Sequence, residues 1–204
     1  SYEDIASSPV QFGQVSRPGD IKYKDLNHDG VIDSNDQAPI GYNPVPEMTF
    51  SLAAGLNWKG IDFSILLQGA ARSSIYLQQD IAWDNFWGNY YEEHIGRWTP
   101  ETAATATYPR FTKAATAAHP NYYKSDYWLK DSKYLRLKNI QLGYTIPRKL
   151  LKKFGVRSLR VYANAYNLFT WDNVKKVDPE SSNNSNGQFY PQQKVINFGI
   201  NLNF

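Results

Sequence analysis

Stretches of about ten residues in which apolar and polar side chains alternate constrain this chain more than any other feature. In 48–58, MTFSLAAGLNW, Phe50, Leu52, Ala54, Leu56 and Trp58 share one parity, and Thr49, Ser51, Gly55 and Asn57 the other. The dipeptide KG follows. IDFSILLQGA then alternates again, with Ile61, Phe63, Ile65 and Leu67 opposite Asp62, Ser64 and Gln68. Period two on both sides of a short glycine-containing link predicts a β-hairpin. In 134–147, YLRLKNIQLGYTIP, Leu135 and Leu137 lie on one parity, and Ile140, Leu142, Tyr144 and Ile146 on the other. A bulge near Lys138–Asn139 repairs that shift. SLRVYANAYNLFTW (158–171) sets Leu159, Val161, Ala163, Ala165 and Phe169 against Arg160, Tyr162, Asn164 and Tyr166. KVINFGINLNF (194–204) sets Ile196, Phe198, Ile200, Leu202 and Phe204 against Asn197, Gly199, Asn201 and Asn203.

The class is therefore all-β, with about five antiparallel strands. Short links at 58–61 and 147–157 alternate with long ones. Strands of this length, with an unbroken apolar face and this loop asymmetry, fit a transmembrane barrel whose apolar side meets lipid. The same pattern fits a soluble β-sandwich, in which the apolar side is a protein core. Two features favour lipid. The last strand carries its apolar series to Phe204, and aromatics gather near strand ends at Trp58, Tyr134, Tyr144, Trp171 and Phe204. Five strands do not close a barrel, since the smallest have about eight. The sheet is expected to continue in other sequence.

Composition narrows the chemistry. A chain of 204 residues holds one large or two small domains. Its net charge of +3 gives no argument for nucleic acid, and it has no cysteine for thiolate or disulfide chemistry. No apolar run approaches the roughly 18 residues of a membrane helix, and no basic-then-apolar leader opens the chain. The first residues, SYEDIASSPVQFGQVSRPGD, read as loop, so the chain is expected to begin within a longer protein.

Several phrases are distinctive together: PGDIKYKDLNHDGVIDSNDQAPIG, WKGIDFSILLQGA, RWTPE with YPRF, YLRLKNIQLGYTIPRKLLKK, SLRVYANAYNLFTW, DPE and the terminal NFGINLNF. In this order, from Pro18 to Phe204, they resemble the C-terminal part of SusC/RagA-type TonB-dependent transporters of Bacteroidota. The resemblance implies the last five strands of a barrel of about 22 strands, with residues 1–46 an extracellular loop. Residues 47–204 would supply the strands and two long extracellular loops, about 77–131 and 172–191. It implies an outer-membrane location with a periplasmic C-terminus. It also implies import of glycan fragments or oligopeptides, with no enzymatic step. The implied partners are a SusD-like surface lipoprotein acting as a lid, the N-terminal remainder of the transporter with its plug, TonB reached through that remainder, and membrane lipid. The alternative from another class is a soluble, calcium-stabilised β-sandwich that binds carbohydrate.

DLNHDGVIDSND, residues 25–36, holds four carboxylates. Asp25, Asn27, Asp29, Gly30, Val31, Asp33 and Asp36 match positions 1, 3, 5, 6, 7, 9 and 12 of an EF-hand-type loop, with Val31 lending its carbonyl and Asp standing where Glu is usual. The expected cofactor is structural Ca2+; the alternative is a solvated acidic turn. Ile32, at position 8, is expected to turn inward to local packing. The flanking sequence carries no helices to make a hand.

Trp83, Asp84, Asn85, Phe86, Trp87, Tyr90 and Tyr91 form an aromatic and amide cluster. Such a cluster suits contact with substrate or lid, or it is a private core of a long loop. A short helix is expected across 75–87. Glu92, Glu93 and His94 read as a solvated face rather than an acid–base pair. Glu47, Asp62, Arg72, Arg136 and Arg160 are expected on the polar face, paired with one another or with the plug. The basic turn at 148–157 raises lipid phosphate as a ligand. It reads instead as a solvated cap with Leu150, Leu151 and Phe154 packed under the barrel. No acid, base and nucleophile converge in sequence.

Overall fold

Each alternating segment forms a strand in the structure, a computed structural model that describes residues 1–84, 88–113, 118–175, 177–181 and 190–204. In chain order the strands are β1 (Val10–Gln11), β2 (Val31–Ile32), β3 (Met48–Trp58), β4 (Ile61–Ala71), β5 (Ser74–Tyr76), β6 (Leu129–Asp131), β7 (Tyr134–Thr145), β8 (Ser158–Asp172) and β9 (Val195–Asn203). The five long ones make one antiparallel sheet in the order β3-β4-β7-β8-β9. β1 and β2 form a separate parallel pair, and β5 and β6 another two-stranded ladder. The opening residues read as loop, but Tyr2–Ala6 is helical, its first turn capped by Ser1 Oγ accepting the Asp4 N–H at 3.1 Å. The expected helix across 75–87 reduces to one 3-10 turn, Gln79–Ile81, among the described residues.

Register carries each apolar series across all five strands. Trp58, Ile61, Tyr144, Val161 and Ile200 form one row; Leu56, Phe63, Leu142, Ala163 and Phe198 form the next; Ala54, Ile65, Ile140, Ala165 and Ile196 form a third. Above them Lys138 drops out of register with both neighbours of β7. That single extra residue brings Leu137 into the row of Leu52, Leu67 and Phe169, so the apolar face continues unbroken. With its 11 residues, β3 rises about 3.3 Å per residue and, tilted by about 45°, spans about 25 Å, the height of a lipid-facing band.

Nothing in the described chain covers this face. Phe198 is 82 % exposed, Ile200 69 % and Leu52 62 %. A sandwich needs a second sheet over these residues, and the two remaining ladders have two and three residues per strand. Among the described residues, then, there is no second sheet of the kind the soluble-sandwich alternative needs.

The opposite face is polar and internally paired. Asp62 on β4 and Arg160 on β8 meet across the strand between them, Arg160 Nε donating to Oδ1 at 2.9 Å and Nη2 to Oδ2 at 2.5 Å. They meet because the intervening position on β7 is Gly143. A Cβ there would lie 2.5 Å from both Arg160 Nη2 and Asp62 Oδ1. Tyr162 lays its ring over Gly199, its partner on β9. At the other end of the sheet Arg136 is buried and fully engaged. It donates through Nε to Thr170 Oγ1 at 2.9 Å, through Nη2 to Asp178 Oδ1 at 2.8 Å, and through Nη1 to Glu180. Glu180 also accepts from the Tyr134 hydroxyl at 2.7 Å and from Gln192 Nε2 at 2.5 Å. Asp178 and Glu180, on one arm of the β8–β9 loop, thus fasten to this guanidinium, and Gln192 on the other arm fastens to Glu180. Glu47 faces Arg72 at 3.6 Å in the open. Of the charges expected to pair with one another, Asp62 takes Arg160 and Glu47 takes Arg72, whereas Arg136 takes Asp178 and Glu180 of the loop instead.

Two compact units divide the chain. One is the sheet with its turns, and the other joins Ser1–Gly41 to Tyr76–Leu129. The second unit is built around a buried carboxylate. Asp84 is 1 % exposed. Its Oδ2 accepts the Thr112 N–H at 3.0 Å, and its Oδ1 the Tyr122 hydroxyl, with the Tyr108 hydroxyl 3.3 Å away. The Tyr108 hydroxyl also donates to Ala82 O at 2.9 Å and receives the Asp84 N–H at 3.0 Å. Burial, and then the Asp84 charge, hold both phenols well above the ordinary tyrosine range. Trp83 stacks obliquely on Tyr122 at 4.9 Å, and Trp128 donates its indole N–H to Asn121 O at 2.8 Å. Asn121 in turn donates to Asp20 Oδ1 at 3.0 Å, and Arg110 pairs with the same carboxylate at 2.7 Å, tying the PGD segment to YPRF.

Removing the Asp84 carboxylate leaves the Thr112 amide without its acceptor and the buried Tyr122 hydroxyl with only Thr112 Oγ1, at 2.9 Å, while Tyr108 keeps Ala82 O. Asp84→Ala is expected to lower the local opening free energy by about 3 kcal/mol, measured as roughly hundredfold faster hydrogen exchange at the Thr112 amide; Asp84→Asn, which keeps an acceptor, costs less. Asp178 is pulled two ways. Partial burial raises its pKa, but the Arg136 hydrogen bond and the Glu180 N–H lower it further, and the net position is below the ordinary 3.8. A depressed carboxyl stabilises the fold above its ordinary pKa and loses that contribution only as pH falls through the lowered value. The Glu180 amide, which donates to Asp178 Oδ1 at 3.0 Å, should stay protected down to 3.8 and lose protection only below it; loss at pH 5 to 6 would contradict the assignment.

Candidate functional site

The acidic loop is exposed, and its backbone is set by its own carboxylates. Asp25 Oδ1 accepts the His28 N–H at 2.6 Å, and Oδ2 the Gly30 N–H at 2.9 Å. Gly30 has φ +85°, in the left-handed region where a side chain is strained, and it makes the mid-loop turn. Asn27 Oδ1 accepts from Asp29 N at 3.0 Å, Asp29 Oδ1 from Val31 N at 2.9 Å, and Asp33 Oδ1 from Asn35 N at 2.7 Å. Asp36 closes the ring. Its Oδ1 accepts from Leu26 N at 2.6 Å and its Oδ2 from Asp33 N at 2.9 Å. The Asp33 and Leu26 N–H groups, in that order, hold the Asp36 carboxyl below the usual carboxylate range.

Ile32 is the one loop side chain that points inward, at 2 % exposure. It lies on β2, which pairs with β1 through Gln11↔Ile32, and its carbonyl accepts the Phe12 N–H at 2.7 Å. Gln11 grips the entry to the loop as well, accepting the Tyr23 N–H at 2.6 Å. The loop is thus tethered on both sides while its oxygens stay outside.

Asp25, Asn27, Asp29, Asp33, Asp36 and the Val31 carbonyl are oxygen donors of the hard type that Ca2+ takes. In donor chemistry and chain path they fit such an ion. As placed, each carboxylate caps backbone N–H groups, and among the described residues no group of three or more His, Asp or Glu side chains converges as a metal site.

The aromatic cluster divides. Trp83 and Asp84 are buried and belong to the loop core described above; neither presents a face to solvent. Tyr90 and Tyr91 are exposed at 56 % and 38 %. Tyr90 stacks on Phe111, whose ring also carries the Arg97 guanidinium 4.9 Å from its centroid. Asn85, Phe86 and Trp87 lie outside the described residues. Sequence reasoning missed Phe111 and Arg97 because they come from a segment with no periodicity. His94 corrects an expectation. It is 2 % exposed rather than solvated, accepting the Tyr91 N–H on Nδ1 at 3.0 Å, with Nε2 3.2 Å from Ala82 O. That geometry makes it a neutral packing residue with its proton on Nε2.

The basic turn also departs from expectation. Residues Arg148–Leu151 are helical and Lys152–Phe154 continue as a 3-10 turn, ended by Gly155 at φ +69°. Leu151 is buried, but Leu150 and Phe154 are 65 % and 77 % exposed and do not pack beneath the sheet.

No protein-family model matches the chain. It is similar to the TonB-dependent receptor P26 of Formosa agariphila, at 31 % identity over 100 % of this chain and 21 % of that protein. It is also similar to the TonB-dependent receptor SusC of Bacteroides thetaiotaomicron, at 26 % identity over 95 % of this chain and 18 % of that one. The chain spans about a fifth of the length of the curated relatives it matches. Among solved structures it resembles the RagAB peptide importer in its open-open state, with a TM-score of 0.65 and 23 % identity, over 86 % of this chain and 19 % of that one. A second RagAB structure gives a TM-score of 0.66 at 22 % identity, over 85 % and 19 %. At that identity the structural likeness speaks for the fold, a mostly β chain matching a portion of the transporter. Over nearly its whole length, then, the chain is homologous to SusC/RagA-type TonB-dependent receptors, a family of outer-membrane uptake transporters and not of enzymes, and it aligns with a small part of them.

Proposed function

We propose that this chain forms five neighbouring strands and two long outward loops of an outer-membrane barrel that imports glycan fragments or oligopeptides, energised through TonB. The observation that carries the reading is the sheet itself. One face is apolar across every strand and uncovered, with Phe198 82 % exposed, and the other is polar with its charges paired. Such a sheet is stable where hydrocarbon wets one side and polar groups the other. The two edges, β3 and β9, have free backbone groups on their outer sides and call for further strands. In this reading the short turns and the C-terminus are periplasmic. The loops at 77–131 and 172–191, with the N-terminal segment, are extracellular, where a SusD-like lipoprotein closes over them. Tyr90 and Tyr91 lie in the loop that would meet substrate or lid. The N-terminal remainder of the transporter supplies the plug and the contact with TonB.

We further propose that residues 25–36 hold Ca2+ as a structural ion. The cation would relieve the mutual repulsion of four carboxylates and stiffen a loop rooted at Gln11 and Ile32. Its chemistry is neutralisation and orientation only.

Three measurements test these readings. Nitroxides placed singly at Asn197, Phe198, Ile200 and Asn201 in the receptor carrying this chain should alternate, with oxygen-accessible, lipid-facing labels at Phe198 and Ile200; a flat pattern would refute the barrel. Cells bearing the receptor should accumulate a labelled oligosaccharide or oligopeptide and stop doing so when the proton gradient is collapsed. Gradient-independent uptake, or none of either class, would count against the import function. Tb3+ luminescence should report a site that Ca2+ competes for, weakened at least about tenfold by Asp25→Ala or Asp36→Ala; an unchanged signal in both variants would remove the ion.

A further inference from the structure

We propose that the turn between β7 and β8 is a docking site for anionic phospholipid headgroups at the rim of the sheet. The inference rests on the reading of the apolar face as lipid-facing, and it assigns a ligand class that this reading leaves open.

The turn is amphipathic in an unusual sense: its apolar side chains point outward. Leu151 is 7 % exposed, while Leu150 and Phe154 are 65 % and 77 % exposed. Lys149 and Lys153 each stand next to one of these exposed residues in sequence. Arg148, Lys152 and Arg157 complete a group of five cations. Among the described residues none of the five forms an ion pair. The sequence holds no Asp or Glu between Asp131 and Asp172, so no carboxylate within either flanking strand neutralises them.

The neighbouring hairpin adds to the patch. Lys59 stands 4.9 Å over the Trp58 ring, and Gly60 O accepts the Thr145 N–H at 2.7 Å, which fixes the two turns side by side. On the other flank Arg157 N donates to Asn203 O at 2.8 Å, at the end of β9. On β3, β4 and β7 the apolar face ends here in the row Trp58, Ile61 and Tyr144, and on β8 and β9 it runs one row further, to Leu159 and Leu202.

Continuity with that face and charge together select the occupant. Leu150 and Phe154 add exposed apolar surface at the end of the sheet that acyl chains wet, and lysines beside such surface can bury their aliphatic stems while their ammonium groups reach headgroup depth. A solvated cap would leave two large apolar side chains in water beside five unpaired cations. An anionic leaflet satisfies both at once, at roughly a fivefold gain in partition per basic residue.

The experiment uses the receptor carrying this chain in nanodiscs of phosphatidylethanolamine with about one-fifth phosphatidylglycerol. Native mass spectrometry counts the lipids retained. The wild type should enrich phosphatidylglycerol over phosphatidylethanolamine, and the K149Q/K152Q/K153Q variant should reduce that enrichment at least about tenfold, as should high salt on the wild type. Equal enrichment in wild type and variant overturns the proposal. So does displacement of the lipid by soluble glycerol phosphate, which would mark a free-phosphate site instead. A nitroxide at Phe198 is read in the same samples. If it is lipid-exposed while enrichment is unchanged, only the docking site falls. If it is water-exposed, the barrel reading falls and the docking site with it.

Discussion

A β-strand sends alternate side chains to opposite faces, and everything else in this sheet follows from that geometry. The backbone hydrogen bonds are satisfied between strands, so the only open question for each face is which medium meets it. Rows such as Leu56, Phe63, Leu142, Ala163 and Phe198 cannot face water over five strands without a large cost. No second layer of the described residues lies on them. Hydrocarbon is the medium that leaves the backbone ladder intact and removes the apolar rows from water. One inserted residue, Lys138, keeps those rows aligned where the sequence changes parity.

The polar face solves a different problem. This face pairs its ions, Asp62 with Arg160 across a strand and Arg136 with loop carboxylates. Asp62 reaches Arg160 over a glycine, because any side chain at 143 would occupy the space of the ion pair. Arg136 is saturated by Asp178, Glu180 and Thr170. Its charge is spent inside the protein, on fastening the β8–β9 loop, and it is not available to a solute.

Carboxylates organise the loops, in two distinct ways. Asp20 and Asp84 are enclosed and receive hydroxyl, amide or guanidinium donors from distant parts of the chain, so they bind segments together. The carboxylates of residues 25–36 bond only within their own loop and stay at the surface. The first kind is a substitute for a hydrophobic core in a region rich in aromatic residues but without regular strands. The second shapes a ring of oxygens and leaves them accessible. The two kinds look alike in sequence, being short acidic stretches beside Gly, Asn or aromatic residues.

Strand existence, hairpin links, the bulge at Lys138, the two faces and the inward turn of Ile32 were all legible in the sequence, because each is a local consequence of period two or of turn chemistry. The ion partners of Arg160 and Arg136 were legible only as a class, since a pairing 98 residues apart, as in Arg160 with Asp62, leaves no local trace. Three features came from tertiary structure alone. Trp83 and Asp84 entered a private loop core, one of the two readings the sequence left open, and the choice was made by Tyr108, Thr112 and Tyr122 converging from a stretch without periodicity. His94 was drawn inside by the Tyr91 N–H and Ala82 carbonyl. Leu150 and Phe154 turned outward because Leu151 took the inward position of a one-turn helix too short to hide all three. Alternation along a strand is a property of neighbouring residues and is written in their order; which distant group fills a lone pair, or which of three leucine-like side chains reaches the sheet, is decided only when the chain has folded.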